Sequence, residues 1–411
     1  MTRKPPVHAP MTQFPIVDNC LSIGGMPLTR LAESVGSTPF YAYDRHSLDQ
    51  RVMMLRKLLP AEIQLHYAIK ANPMPALVQH MATLVDGFDL ASAGEMRVAL
   101  DTPMPIENIS FAGPGKTIQE LSAAIAAGVT INMESCAEMK RISTAAGRLG
   151  IRPHVAIRVN PNFELKSSGI KMGGGPRQFG VDVELVPAVL HELEQLDLDF
   201  VGFHIFSGSQ NLKAESIIEA QTKTFDLAVR LAGQTSMPVK KLNIGGGFGI
   251  PYFPGENHLN LQSIADHLAS ILPGVRQQLA DTDIIIELGR YLVGESGIFV
   301  CQVIERKVSR GHVFLITNGG LHHHLAASGN FGQVIRKNYP VMVGNRCLSD
   351  TLEKVSIVGP LCTPLDMLGD KMELPEADEG DLIVILQSGA YGLTASPTRF
   401  LSHPSPKEVL V

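Results

Sequence analysis

Eight short apolar runs, each closing in or near Gly, Asn, Pro or Ser, punctuate the first three-quarters of the chain. They span 63–71, 87–92, 109–113, 130–135, 154–160, 199–207, 240–246 and 283–289. Between them, the segments 75–84, 118–127, 137–149, 186–196 and 220–231 carry apolar residues at helical spacing. Eight strand-then-helix units are the pattern of a (β/α)8 (TIM) barrel, whose chemistry sits at the C-terminal ends of its strands.

After about residue 292 the texture changes. The runs 300–309, 312–316, 355–358 and 381–386 are short, rich in β-branched residues and separated by glycine and proline turns. A second, all-β domain is predicted there, a β-barrel or β-sandwich. A chain of 411 residues also exceeds what one core usually supports. The expected division is an N-terminal segment 1–40 lending a strand to the β domain, a barrel over 41–291 and the β domain over 292–411. The fold class is therefore α/β plus all-β.

Bulk properties exclude several classes. The formal net charge of −5 gives no electrostatic reason to expect nucleic acid or an anionic membrane. No run approaches the ~20 apolar residues of a membrane-spanning helix. Residues 1–6 start positively, but no apolar leader core follows. Cys20, Cys136, Cys301, Cys347 and Cys362 are dispersed without CxxC spacing, which suits a reducing, cytoplasmic setting and no zinc site. The run His322-His323-His324 invites a metal reading, but consecutive residues point in different directions. Lining a widened substrate mouth is the preferred reading, and no metal is expected.

The strand ends carry Lys70, Asp89 and Ser92, Glu134 and Ser135, Arg158 and Asn160, Ser207 and Ser209, Gly245-Gly246-Gly247, and Glu287 and Arg290. A lysine closing a buried strand is costly unless paired, neutral or covalently used. It is suited to a Schiff base with a carbonyl such as that of pyridoxal phosphate (PLP). Equally, its stem can pack while the ammonium reaches solvent. The glycine triplet lets backbone N–H groups close on an anion, or forms a flexible loop.

With those ends in hand, the chain resembles the fold-type III PLP-dependent decarboxylases, the group of diaminopimelate, ornithine and arginine decarboxylases with an alanine racemase-like fold. Tyr67-Ala68-Ile69-Lys70-Ala71-Asn72 resembles the family's Schiff-base segment and Phe88-Asp89-Leu90-Ala91-Ser92 its next strand end. Glu287-Leu288-Gly289-Arg290 resembles the EPGR segment with Leu288 for proline. Gly359-Pro360-Leu361-Cys362, Gly389-Ala390-Tyr391-Gly392 and the closing 404–411 resemble β-domain segments, and the last implies a complete C-terminus.

The resemblance implies decarboxylation of an L- or meso-amino acid or an aminoacyl conjugate. Lys70 would be the Schiff-base residue, and Cys362 would be the proton donor in the partner subunit's site of an obligate homodimer. It also implies Gly245, Gly246, Gly247, Ser209, Arg290 and Tyr391 around the phosphate. Glu287 falls at the pyridine nitrogen, with Asp89 and Arg158 beside the ring. Alanine racemases place an arginine at the Glu287 position, so Glu287 favours decarboxylation over racemisation.

Three departures bear on substrate and stacking. Where the family has a ring-stacking histidine, the ungapped register puts Phe206, with His204 on the same strand face as the second choice. Thr363 follows Cys362 where a carboxylate usually reads a distal amine, and Asp366 comes three residues later. Ala326 and Asn330 stand where diaminopimelate enzymes place an arginine and a tyrosine, and Asn318 stands near an ornithine-type aspartate. Arg290, Thr363, Asp366 and Tyr391 remain as the substrate-facing positions. This pattern resembles the butirosin-type and exosortase-associated subgroup of carrier-linked decarboxylases, so a conjugated or carrier-linked substrate is expected. The alternatives are a free-diaminopimelate decarboxylase and an amino-acid racemase.

Overall fold

The computed structural model describes residues 6–164, 166 and 169–411. Positions 1–5, on which the leader reading rests, lie outside the described residues. Two compact units make up the chain: Met1–Gln50 with Pro251–His258 and Leu292–Val411, and Arg51–Ile250 with Leu259–Tyr291.

The second unit is a closed parallel barrel. Its strands are β1 (Ile63–Ala68), β2 (Gly87–Leu90), β3 (Ile109–Phe111), β4 (Thr130–Met133), β5 (His154–Asn160), β6 (Asp199–Ile205), β7 (Lys241–Gly246) and β8 (Asp283–Leu288). Each pairs in parallel with the next, and β8 pairs back onto β1. Every one of the eight apolar runs therefore falls on a strand. Runs such as Ile284-Ile285-Ile286 are apolar throughout because strands of a helix-covered parallel sheet are buried on both faces.

Helices α1 (Pro75–Met81), α2 (Ala93–Leu100), α3 (Ile118–Ala127), α4 (Cys136–Leu149), α5 (Val186–Leu193), α6 (Ala214–Ala232) and α7 (Leu261–Arg276) follow the strands. Local chemistry sets where they start. The hydroxyls of Ser92 and Ser135 accept from the N–H groups of Glu95 and Glu138, capping α2 and α4. Thr117 and Glu120 form a reciprocal capping box on α3. Ser92 and Ser135 are thus helix caps at strand ends.

In the other unit a 13-residue strand, Gly297–Ser309, organises a mixed sheet. It pairs antiparallel with Phe40–Tyr43, His312–Thr317 and Leu382–Ile385. Phe40–Tyr43 in turn pairs in parallel with Lys407–Leu410, so both ends of the chain enter this sheet. Leu352–Val358 and Met367–Pro375 extend it beyond His312–Thr317. Leu21, Ile23, Leu28, Phe40, Ile298, Val300 and Val384 form its core. No helix among the described residues is long and apolar enough to cross a membrane.

Candidate active site

Strand β1 ends at Ala68, and a single 3-10 turn, Ile69–Ala71, carries Lys70. The turn swings the lysine off the strand, so its side chain is 40% exposed rather than buried as its sequence context suggests. Its Nζ stands 3.5 Å from Glu287 Oε1 at the end of β8 and 5.7 Å from the centre of the Phe206 ring.

Glu287 is buried. Its second oxygen accepts from His204 Nε2 at 3.1 Å and Asn243 Nδ2 at 3.4 Å. Burial alone would raise its pKa. The Lys70 ammonium, then His204 and Arg158, more than reverse this and hold the carboxyl well below the usual range. An ionised carboxylate in the barrel interior beside an amine is the electrostatic centre of the site.

His204 and Phe206, the two choices for the stacking ring, have different neighbours. The His204 ring is tied to Glu287, whereas the Phe206 ring lies beside Lys70, with the two ring centres 6.4 Å apart. The triplet after β7 packs against this same group. Gly245 and Gly247 have φ of 68° and 77°. A Cβ on Gly246 would collide with Glu287 O, and one on Gly245 would come 2.9 Å from Phe206 Cδ2. Asn243 Oδ1 accepts from Gly245 N–H at 2.8 Å, so one asparagine links the glycine turn to Glu287.

Arg158, on β5, is held by Glu134 at the end of β4, with Nη1 to Oε1 at 2.7 Å. The same carboxylate accepts from Gly113 N–H and Gly180 N–H at 2.6 and 2.7 Å, so Glu134 gathers three strand-end segments. Burial works against its charge, but Arg158 and then Lys116 keep its pKa below the ordinary value. Lys116 makes a buried 2.7 Å ion pair with Glu138 and donates to the carbonyls of Gly113 and Asn132. The sequence placed Glu134 at a strand end without a task. Nothing in it signalled Asn243 or Lys116 beyond a polar residue inside an apolar segment.

Asp89, on β2, accepts from Ser110 Oγ, which also receives Asn132 Nδ2 at 3.1 Å. Ser209 and Arg290 are half-buried at the ends of their segments.

In the β-sheet unit, Tyr391 is half-buried with φ 53°, and Cys362 is exposed. Burial pushes the thiols of Cys301 and Cys347 up to about 12 and about 11. Asp366 is buried, and its two oxygens accept from Leu321 N–H and Leu361 N–H at 2.6 and 2.8 Å. It clamps two loops. Thr363 Oγ1 accepts from Leu365 N–H at 3.3 Å, and Asn330 Nδ2 donates to Ser328 Oγ and Leu365 O.

The three histidines are buried instead of lining a mouth. His323 Nε2 donates to Pro404 O, and His324 Nε2 lies 2.9 Å from Ser388 Oγ. Burial lowers their pKa values to about 3, 4 and 3, so all three are neutral at pH 7. Among the described residues no three His, Cys, Asp or Glu side chains converge to hold a metal ion.

The family described as pyridoxal-dependent decarboxylase, pyridoxal binding domain, matches residues 45–294. The chain belongs to this family. Over 379 residues, covering 91% of this chain and 88% of the relative, it is 40% identical to the L-glutamyl-[BtrI acyl-carrier protein] decarboxylase of Niallia circulans. It is 33% identical over 397 residues to the diaminopimelate decarboxylase of Aquifex aeolicus, covering 96% and 91% of the two chains. The structure of diaminopimelate decarboxylase from M. jannaschii in complex with L-lysine superposes with a TM-score of 0.88 at 27% identity, covering 98% and 93%.

The protein is thus a fold-type III decarboxylase whose cofactor is pyridoxal 5′-phosphate. The barrel site suits that group. It offers an amine at a strand end, a buried ionised carboxylate facing it and a glycine turn too tightly packed for side chains.

Proposed function

We propose that this decarboxylase acts on an amino acid whose distal end is joined to a carrier or other large group, in a site completed by two subunits. The observation that carries the substrate class is how the distal-recognition positions are occupied. Asp366 commits both oxygens to backbone N–H groups, Thr363 offers a hydroxyl already bonded to Leu365, and Ala326 is a buried methyl. With both Asp366 oxygens committed and no charge on Thr363 or Ala326, these positions offer no ionic partner to a free distal ammonium. The Niallia relative, named for a carrier-linked glutamyl group, supports the same reading.

In this reading Lys70 holds the cofactor covalently. The glycine turn with Ser209, Arg290 and Tyr391 would receive its phosphate, Phe206 would stack on its ring, and Asp89 and Arg158 would flank it. When bound, the cofactor supplies an electron sink for the carbon that loses CO2. Glu287 keeps a negative charge against the pyridine nitrogen and so favours its protonated form. His204 and Asn243 hold Glu287 in place by bonding its far oxygen. Glu134 holds Arg158.

Cys362 of a partner subunit supplies the proton that replaces CO2, and its exposed thiol leaves it available for this. The tip that carries it also exposes Leu365, and Asn330 ties this tip to a segment that exposes Phe331, Val334 and Ile335. An apolar surface of this kind suits burial in a homodimer.

The deciding experiment is a decarboxylation screen of the purified protein across free amino acids, including meso-diaminopimelate, and aminoacyl groups on carrier protein. Turnover confined to tethered groups supports the proposal. Family-normal turnover of free diaminopimelate sinks it.

A further inference from the structure

His66, on β1, points into the barrel and is fully buried, yet neither ring nitrogen has a hydrogen-bond partner. Its Nδ1 stands 3.5 Å from Asp89 Oδ2, and that oxygen is also buried without a hydrogen bond. Two complementary orphans facing each other are a costly arrangement unless they serve one another. The other Asp89 oxygen is held by Ser110 Oγ, which fixes the carboxylate's orientation.

The ring has little freedom to turn elsewhere. A Cβ on Gly87, the β2 residue paired with His66, would collide with its Cε1 and Nε2. His66 and Asp89 line a small cavity inside the barrel, together with Ser110, Asn132, Asn243 and Lys241. The charged groups around His66 can be named strand by strand. On β8, Glu287 is its register partner, but that carboxylate is engaged by Lys70, His204 and Asn243. On β7, Lys241 donates to Glu107 O, and Glu107 lines the same cavity. Asp89 alone among these has an unengaged oxygen directed at the imidazole.

We infer that His66 is a positioning residue that acts through Asp89. Its Nδ1–H pairs with Asp89 Oδ2, bridging β1 and β2 and fixing the aim of that carboxylate. This rests on the reading above, in which Asp89 flanks the cofactor. Without His66, Asp89 is held from the Ser110 side only. The couple thereby shapes the environment of the Lys70-bound cofactor.

Two measurements on the full-length protein test this. The first is an NMR spectrum of ¹³C- and ¹⁵N-labelled histidines in wild type, Asp89→Asn and His66→Gln. The resonance lost in His66→Gln should move in Asp89→Asn, because its Nδ1 loses the carboxylate partner. An unmoved resonance overturns the couple. The second is the visible absorbance of the cofactor-loaded protein as a function of pH. His66→Leu should displace the spectral midpoint, and His66→Gln, which still donates to Asp89, should restore much of it. An unmoved midpoint in His66→Leu overturns the positioning role. A wild-type protein without a visible band refutes the reading of Lys70 and the positioning role with it, while the NMR arm still decides the couple.

Discussion

Lys70 Nζ and Glu287 Oε1 face each other at 3.5 Å across paired strands, one side chain 40% exposed and the other 4%. The pairing is asymmetric in purpose. Glu287 is fixed from behind by His204 and Asn243, whereas Lys70 stands on a one-turn 3-10 helix just past the end of its strand. With its carboxyl held well below the usual range, Glu287 is ionised at neutral pH. Glu287→Gln should retain the cofactor but lower decarboxylation by about 10²–10³-fold, the scale for removing one preorganised electrostatic partner. Carbon dioxide release alongside cofactor content measures both.

Phe206 occupies a position where an imidazole would be expected, and its ring is the one beside Lys70. An aromatic face gives stacking without a titrating group. Phe206→Ala should weaken cofactor retention by roughly two- to thirteenfold, corresponding to about 0.5–1.5 kcal/mol of aromatic contact. Phe206→His should recover it and introduce a new ionisation into the spectral pH profile. Equilibrium dialysis against pyridoxal phosphate reads the first effect and absorbance titration the second.

The barrel was legible in the sequence because each strand is a buried run closed by turn residues. The candidate site positions were legible because such a fold gathers its strand ends. Lys70, Asp89, Arg158 and Glu287 are all there. What the sequence hid is pairing that depends on barrel register. Glu134 reaches Arg158 on the next strand and Gly180 well beyond it, and no local spacing encodes that. Asp366 looked available because it follows the cysteine closely, but a turn aims it at two backbone N–H groups. Met367–Pro375 was missed because Gly369-Asp370-Lys371 interrupts its apolar pattern, and Lys371 has φ 51°.

The buried ion pair of Lys116 with Glu138 holds the α4 start to the β3–α3 loop, with both side chains at most 2% exposed. Removing one partner leaves a charge stranded in the interior. Lys116→Met should destabilise the barrel unit by about 3–5 kcal/mol. The double variant Lys116→Met with Glu138→Leu should recover much of that loss, because no buried charge remains. Thermal unfolding of the single and double variants tests this, and equal loss in both would refute it.

His322, His323 and His324 make the β-sheet unit sensitive to acid. Their folded-state pKa values of about 3, 4 and 3 lie below the unfolded value of about 6.5, so unfolding takes up protons between those limits. Stability is therefore fully present above about pH 6.5 and falls as pH drops towards 4, by up to about 1.4 kcal/mol per pH unit for each histidine. His324→Asn, which keeps a polar group near Ser388, should flatten the slope in urea midpoints measured from pH 7.5 to 5. An unchanged slope would remove His324 from the effect.

The shared-site reading makes the sharpest quantitative prediction. Lys70→Ala and Cys362→Ala should each be nearly inactive as homodimers, since each lacks one required group in both sites. Unfolded together in equal amounts and refolded, half of the dimers are hybrids. Each hybrid has one site carrying both lesions and one carrying neither, so activity should return to about a quarter of the wild-type value. If Cys362 served the site of its own chain, mixing would restore nothing, because every site would still carry one lesion. Activity assayed against mixing ratio distinguishes the two, peaking at equal proportions only when the cysteine crosses between subunits.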